Sequence, residues 1–149
     1  MSTGIFTSYL FSSDFGIVDL KQKTVHALGK WNYKITVTTP EDIGRLTAEI
    51  VFFTPKIKNE IIFVADDTIS YEDLANVTES VVGESFDRKL LSISDLNTAI
   101  EQAENSLAAK YRIAFARPDG VAWEKTSTFN FQQNIEVSDV KYWLLRIVS

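Results

Sequence analysis

His26 is the single histidine of this 149-residue chain, and imidazole is the side chain that titrates nearest neutral pH. It stands in Thr24-Val25-His26-Ala27-Leu28, a stretch with strand-like alternation. Beside the acid–base reading there is therefore a plainer one, a polar residue on one face of a strand. Asp66-Asp67 closes the apolar run Asn59-Glu60-Ile61-Ile62-Phe63-Val64-Ala65. The carboxyl end of a strand is where open α/β sheets place ligands. Neighbours on an extended chain point to opposite sides, so these two carboxylates do not form a dyad with each other, and loop or cap duty is the alternative. Tyr9, Lys34 and Lys125 can also act as acids, bases or donors, and no spacing singles one of them out. Trp31, Tyr33, Trp123, Phe129 and Phe131 lie in poorly regular stretches, where rings either pin a core or stack on a flat ligand.

Several chemistries are excluded. The six glycines, at 4, 16, 29, 44, 83 and 120, never form G-x-G-x-x-G, and there is no Walker pattern. Without cysteine there is no disulfide, thiolate nucleophile or thiolate metal site. One histidine and no carboxylate cage argue against any metal. A net charge of −5 with 15 scattered Lys and Arg does not suit a nucleic-acid backbone. No apolar run approaches the roughly 20 residues of a membrane helix. No basic segment precedes a long apolar core as in a signal peptide. A soluble, cytoplasmic protein is expected. Its hydrophobic content of 45% suits a globular chain rather than a disordered one.

The elements that must position these groups are best marked by helix starts. Thr39-Pro40-Glu41-Asp42 combines a capping hydroxyl, a proline at the first helical position and acids facing the helix dipole. Ile43, Leu46 and Ile50 follow on one face, and the helix is expected to end before Thr54-Pro55. Ser70-Tyr71-Glu72-Asp73 opens a second helix, with Leu74, Val77 and Val81 buried and Gly83 as its stop. A third begins at Ser92 or Ser94, with Leu96, Ile100, Ala103 and Leu107 as buried stripe and an extension to Tyr111, Ala114 and Phe115. A last helix begins at Ser138, with Val140, Trp143, Leu144 and Ile147 on one side. Residues 17–20 and 24–29 read as a hairpin, and Lys34–Thr38 as a half-buried strand. The run 59–65 reads as a strand buried on both faces, and 86–93 as a further strand. Ile5, Phe6, Tyr9 and Leu10 suggest a short helix, Pro118-Asp119-Gly120 a turn, and 121–134 an irregular segment. With no linker or repeat, residues 1–149 are expected to form one α+β domain, a small mixed sheet with flanking helices.

Ser2-Thr3-Gly4-Ile5-Phe6, Gly16-Ile17-Val18-Asp19-Leu20, Thr38-Thr39-Pro40-Glu41-Asp42-Ile43-Gly44-Arg45, Phe63–Leu74 and Gly120-Val121-Ala122-Trp123, in this order and spacing, resemble the second half of the NmrA-like, isoflavone-reductase-like family. Family members are atypical short-chain reductases with an NAD(P)-binding Rossmann half followed by a substrate half. The likeness covers the latter, in which the stretch matching Phe6 to Phe15 borders the substrate cleft. The resemblance implies a hydrophobic small molecule as ligand and no nucleotide cofactor. It also implies a homodimer or partner chain over the face a Rossmann half would cover. One expectation is a cofactor-independent isomerase, cyclase or dehydratase of secondary metabolism. Tyr9, His26 and Asp66 would be its polar groups, and Phe6, Phe11, Phe15 and Trp123 its walls. The alternatives are a non-catalytic binding module and the remnant of an NAD(P)H-dependent reductase.

Overall fold

The computed structural model describes residues 1–103, 106–118 and 121–149. A short strand β1 (Ile5–Phe6) runs directly into a one-turn helix α1 (Thr7–Leu10). The hairpin follows as β2 (Val18–Asp19) and β3 (Thr24–Leu28), then β4 (Lys34–Thr38) and the long helix α2 (Pro40–Val51). β5 (Asp67–Ser70) leads into α3 (Tyr71–Val82), and β6 (Asp87–Leu91) into α4 (Ile93–Gln102). α5 (Leu107–Ala114), α6 (Phe129–Gln132) and α7 (Val140–Val148) complete the chain, with a 3-10 turn at Lys125–Ser127.

The helix starts are built from their own side chains. The Thr39 hydroxyl accepts from the Asp42 N–H at 3.2 Å, and that of Ser70 from Asp73 at 3.0 Å. Ser92 and Asp95 bond each other's backbone N–H at 3.1 and 2.9 Å, a full capping box. Gly83 ends α3 at φ +78°, the left-handed conformation that glycine adopts without strain. The last helix is capped by Asp139, one residue later than Ser138, through the Tyr142 N–H at 2.7 Å.

Among the described residues two three-stranded sheets form. In one, β4 lies between β1, parallel with Ile5 opposite Val37, and β5, antiparallel with Val37 opposite Asp67. In the other, β3 lies between β2 and a parallel β6 that sets His26 opposite Lys89. Gly4 lets β1 approach: a Cβ there would stand 2.2 Å from the Thr36 carbonyl oxygen. Leu10, Phe15, Ile17, Val25, Leu28, Ile35, Val37, Tyr71, Leu74 and Val140 form the main core. Leu46, Val64 and Phe129 form a smaller one under α2. This is the expected α+β class. Among the described residues no helix is long and apolar enough to cross a membrane.

Four expectations need correction. The run 59–65 is not a strand buried on both faces; Ile61 is 75% exposed, and a single bridge joins Phe63 to Ser2. Its backbone is satisfied otherwise. The Ser2 N–H donates to the Ile62 carbonyl, and the Phe129 N–H to that of Phe63. The Asn130 amide bonds both the N–H and C=O of Ala65, at 3.1 and 2.8 Å. β4 is buried from Ile35 to Thr38 rather than half-buried. Its threonines tolerate this because Thr38 donates to the Thr3 carbonyl at 2.7 Å and Thr36 pairs with Thr68 at 2.9 Å. The third helix stops at Ala103, and Ser106 caps a new one through Ala109 N–H, so Leu107 opens α5 at 64% exposure instead of lying on a buried stripe. The segment 121–134 holds the 3-10 turn and α6 rather than only irregular chain. Asp119 and Gly120 of the expected turn lie outside the described residues.

Candidate functional site

Between the β1–α1 corner and α5 lies an apolar cavity of about 400 Å³. Gly4, Ile5, Phe6 and Tyr9 form one side, and Leu107, Tyr111 and Phe115 the other. Its rings are held by one another. Tyr9 stacks on the buried Phe15 at 4.7 Å, meets Tyr111 edge-on at 6.5 Å, and Tyr111 stacks near Phe115 at 6.5 Å. Phe15 also meets Phe115 edge-on at 5.8 Å. Arg112 fastens α5 to the loop below, its Nε donating to the Phe15 carbonyl at 2.7 Å. Phe6 and Tyr111 keep about half of their surface in water, at 51% and 44%. The site is thus a set of aromatic faces with two phenol hydroxyls, suited to a flat apolar molecule carrying a hydroxyl or carbonyl.

Of the residues expected at a site, Phe6 and Tyr9 line this cavity and Phe15 supports it from the core. Phe11 instead packs against Trp143 at 5.0 Å. Trp123 packs on Phe63 at 4.9 Å, donates its indole N–H to the Val64 carbonyl at 3.2 Å, and borders a separate hollow with Tyr33 and Lys34. His26 and Asp66 are not among the cavity's lining residues.

His26 sits on β3 with Nδ1 buried and unpartnered. Burial and the Lys89 charge hold its imidazole below the ordinary value, which favours the neutral ring. Asp66 is 1% exposed, and its Oδ2 accepts the Thr39 N–H at 2.7 Å. Burial, with the Asp42 charge beside it, pushes Asp66 up to about 7. Asp67 turns elsewhere, to Lys125 at 3.3 Å and the Val140 N–H at 3.4 Å, so the adjacent aspartates have separate partners. Among the described residues no cluster of three or more His, Asp or Glu can hold a metal ion.

Tyr111, Leu107 and Phe115 were missed as site residues, because a continuous helix would have placed Leu107 on its buried stripe. Ser106, a capping residue four positions after the end of α4, is the signal that separates them from that helix.

No family model matches the sequence. An NmrA-like family domain-containing oxidoreductase of Gibberella moniliformis (strain M3125 / FGSC 7600) is 41% identical over 145 residues, which are 97% of this chain and 47% of that protein. A crystal structure of isoflavone reductase superposes with a TM-score of 0.72 over 96% of this chain and 50% of its own, at 15% identity. An NADPH-dependent quinone oxidoreductase of Escherichia coli gives 0.68 over 99% and 54%, at 14% identity. A leucoanthocyanidin reductase–NADPH complex from Vitis vinifera gives 0.70 over 97% and 52%, at 17% identity. The chain therefore spans about half the length of these proteins.

Proposed function

The chain belongs with the NmrA-like, isoflavone-reductase-like proteins over about half of their length, and on that footing we propose that it is a substrate-holding unit for a flat hydrophobic small molecule. The carrying observation is the aromatic cavity between the β1–α1 corner and α5. Ring faces of Phe6, Tyr111 and Phe115 supply apolar contact, and the hydroxyls of Tyr9 and Tyr111 set orientation. Hydride chemistry of the kind the oxidoreductase relatives are named for would need a dinucleotide site, and no residue pattern in this chain supplies one.

A second reading, non-redox isomerase or cyclase chemistry, draws on one feature: two phenols at the wall of an apolar cavity can hold a reactive conformer and pass a proton. It runs through Tyr9 and Tyr111, since His26 and Asp66 do not line the cavity. The exposed Phe6, Leu107 and Tyr111 form the face proposed to be covered by a second copy or a partner chain.

The test is a fluorescence titration with ANS, an aromatic naphthalenesulfonate dye that reports apolar cavities. Saturable binding is expected, weakened about tenfold or more in a Phe6→Ala/Tyr111→Ala variant of unchanged circular dichroism, a loss of about 1.4 kcal/mol. Equal affinity in both proteins rejects the cavity as the site. Parallel NADPH titration is expected to show no saturation; saturable quenching would restore the redox reading to this chain alone.

A further inference from the structure

A second cluster, apart from the aromatic cavity, joins the start of α2 to the chain just before β5 and to the segment before α7. Both Asp42 carboxylate oxygens are held: Oδ1 accepts from Arg45 Nε at 3.0 Å, and Oδ2 from the Ser138 N–H at 2.9 Å. Arg45 also reaches the Glu136 carbonyl. Asp66 lies beside it with Oδ2 on the Thr39 N–H and Oδ1 buried without a donor. We propose that Asp66 and Asp42 are a proton-sharing carboxyl pair, and that this pair makes the junction of α2 with the 136–138 segment a pH-responsive latch.

The geometry argues as follows. Two ionised carboxylates side by side, 1% and 5% exposed, would have one guanidinium, that of Arg45, which is bound to Asp42, and one Asp66 oxygen would have no hydrogen bond. Such an arrangement is costly in a low-dielectric site. A proton on Asp66 Oδ1 removes one charge and supplies the missing donor, which Asp42 can accept. The surrounding charges do not relieve Asp66 in another way. From α2 the facing groups are Asp42 and Arg45, the latter bound to Asp42. Asp67 is engaged with Lys125, and Asp139 caps α7 on the Tyr142 N–H. Glu136 contributes only its backbone carbonyl. Besides burial, the groups acting on Asp66 are Thr39 and Asp42.

The electrostatics of the pair agree. Burial pushes both carboxyls up, but the Ser138 N–H and Arg45 together outweigh it at Asp42, which is held below its ordinary value. Asp66 goes the other way, to about 7. Between 3.8, its ordinary value, and about 7 the folded chain keeps a proton that the unfolded chain has released. Its contribution to stability is therefore complete in acid, falls as pH rises through that window, and is gone above it.

The experiment follows thermal unfolding of the full chain from pH 4.5 to 8.5, with wild type beside Asp66→Asn. The amide keeps the acceptor for Thr39 and offers Asp42 a permanent donor. The expected result is a wild-type Tm that falls relative to the variant as pH rises, with the variant higher at pH 8. Parallel profiles overturn the proposal. Should the variant not fold, the Asp66 carboxyl is titrated in wild type by ¹³C NMR. A midpoint above about 5, well clear of an ordinary aspartate, supports the pair, and a midpoint at or below it overturns it. In Asp42→Asn that midpoint is expected to drop, since the neighbouring charge is removed; an unchanged midpoint would mean that the two groups are not coupled and would overturn the proposal.

Discussion

Tyr71 donates its hydroxyl proton to the Phe115 carbonyl at 3.0 Å inside the core, and burial pushes that hydroxyl well above its usual range. It therefore acts as a neutral strut from the start of α3 to the end of α5, directly behind the aromatic cavity. Tyr71→Phe keeps the ring and strands the carbonyl. We expect it to cost about 1–3 kcal/mol, read from the urea midpoint. Residue type alone marks His26 as a neutral-pH acid or base; on β3, burial and the nearby Lys89 hold its imidazole below the ordinary value. Asp66 shows the converse. Strand geometry already set Asp67 aside as its partner, but only the fold shows that its carboxyl neighbour is Asp42, 24 positions earlier. Pairing between side chains this far apart in sequence is set by how α2 packs, which no local pattern encodes.

At the scale of elements, capping residues were the most legible signal. Thr39, Ser70 and Ser92 each start the helix that their hydroxyls and the following acids announce. These starts are legible because a cap satisfies backbone groups within four residues and needs no tertiary partner. The exposed box at Ser92 gives a clean test: Ser92→Ala should cost about 1 kcal/mol of stability in chemical denaturation, with little change in folded-state circular dichroism. The strand expected at 59–65 shows where periodicity fails. An apolar run means burial, but not which partner completes its backbone. Here Ser2, Phe129 and Asn130 do so in place of neighbouring strands. The break between α4 and α5 matters more for function, since it turns Leu107 and Tyr111 outward to form the cavity wall.

Over the whole molecule, distant segments are tied by a few buried polar bridges. Asn130 spans 65 positions to hold both polar groups of the Ala65 peptide, and Asp42 reaches the Ser138 N–H across 96. Asn130→Ala would leave the Ala65 N–H and C=O without partners under the smaller core. Loss of about 2 kcal/mol or more is expected in thermal or urea unfolding, and a change below about 0.5 kcal/mol would show that water replaces the amide freely. The α+β class, the hairpin, the starts of α2, α3 and α4 and the likeness to half of an NmrA-like protein were readable in the chain itself. These depend on short-range periodicity, caps and motif order. Tertiary structure alone decided that Phe6 and Tyr9 meet Tyr111 and Phe115 around one cavity, that Trp123 and Phe11 pack elsewhere, and that Asp66 faces Asp42. Each of these is a contact between segments far apart in sequence, fixed by which apolar faces pack together and which buried polar atoms must then find a partner.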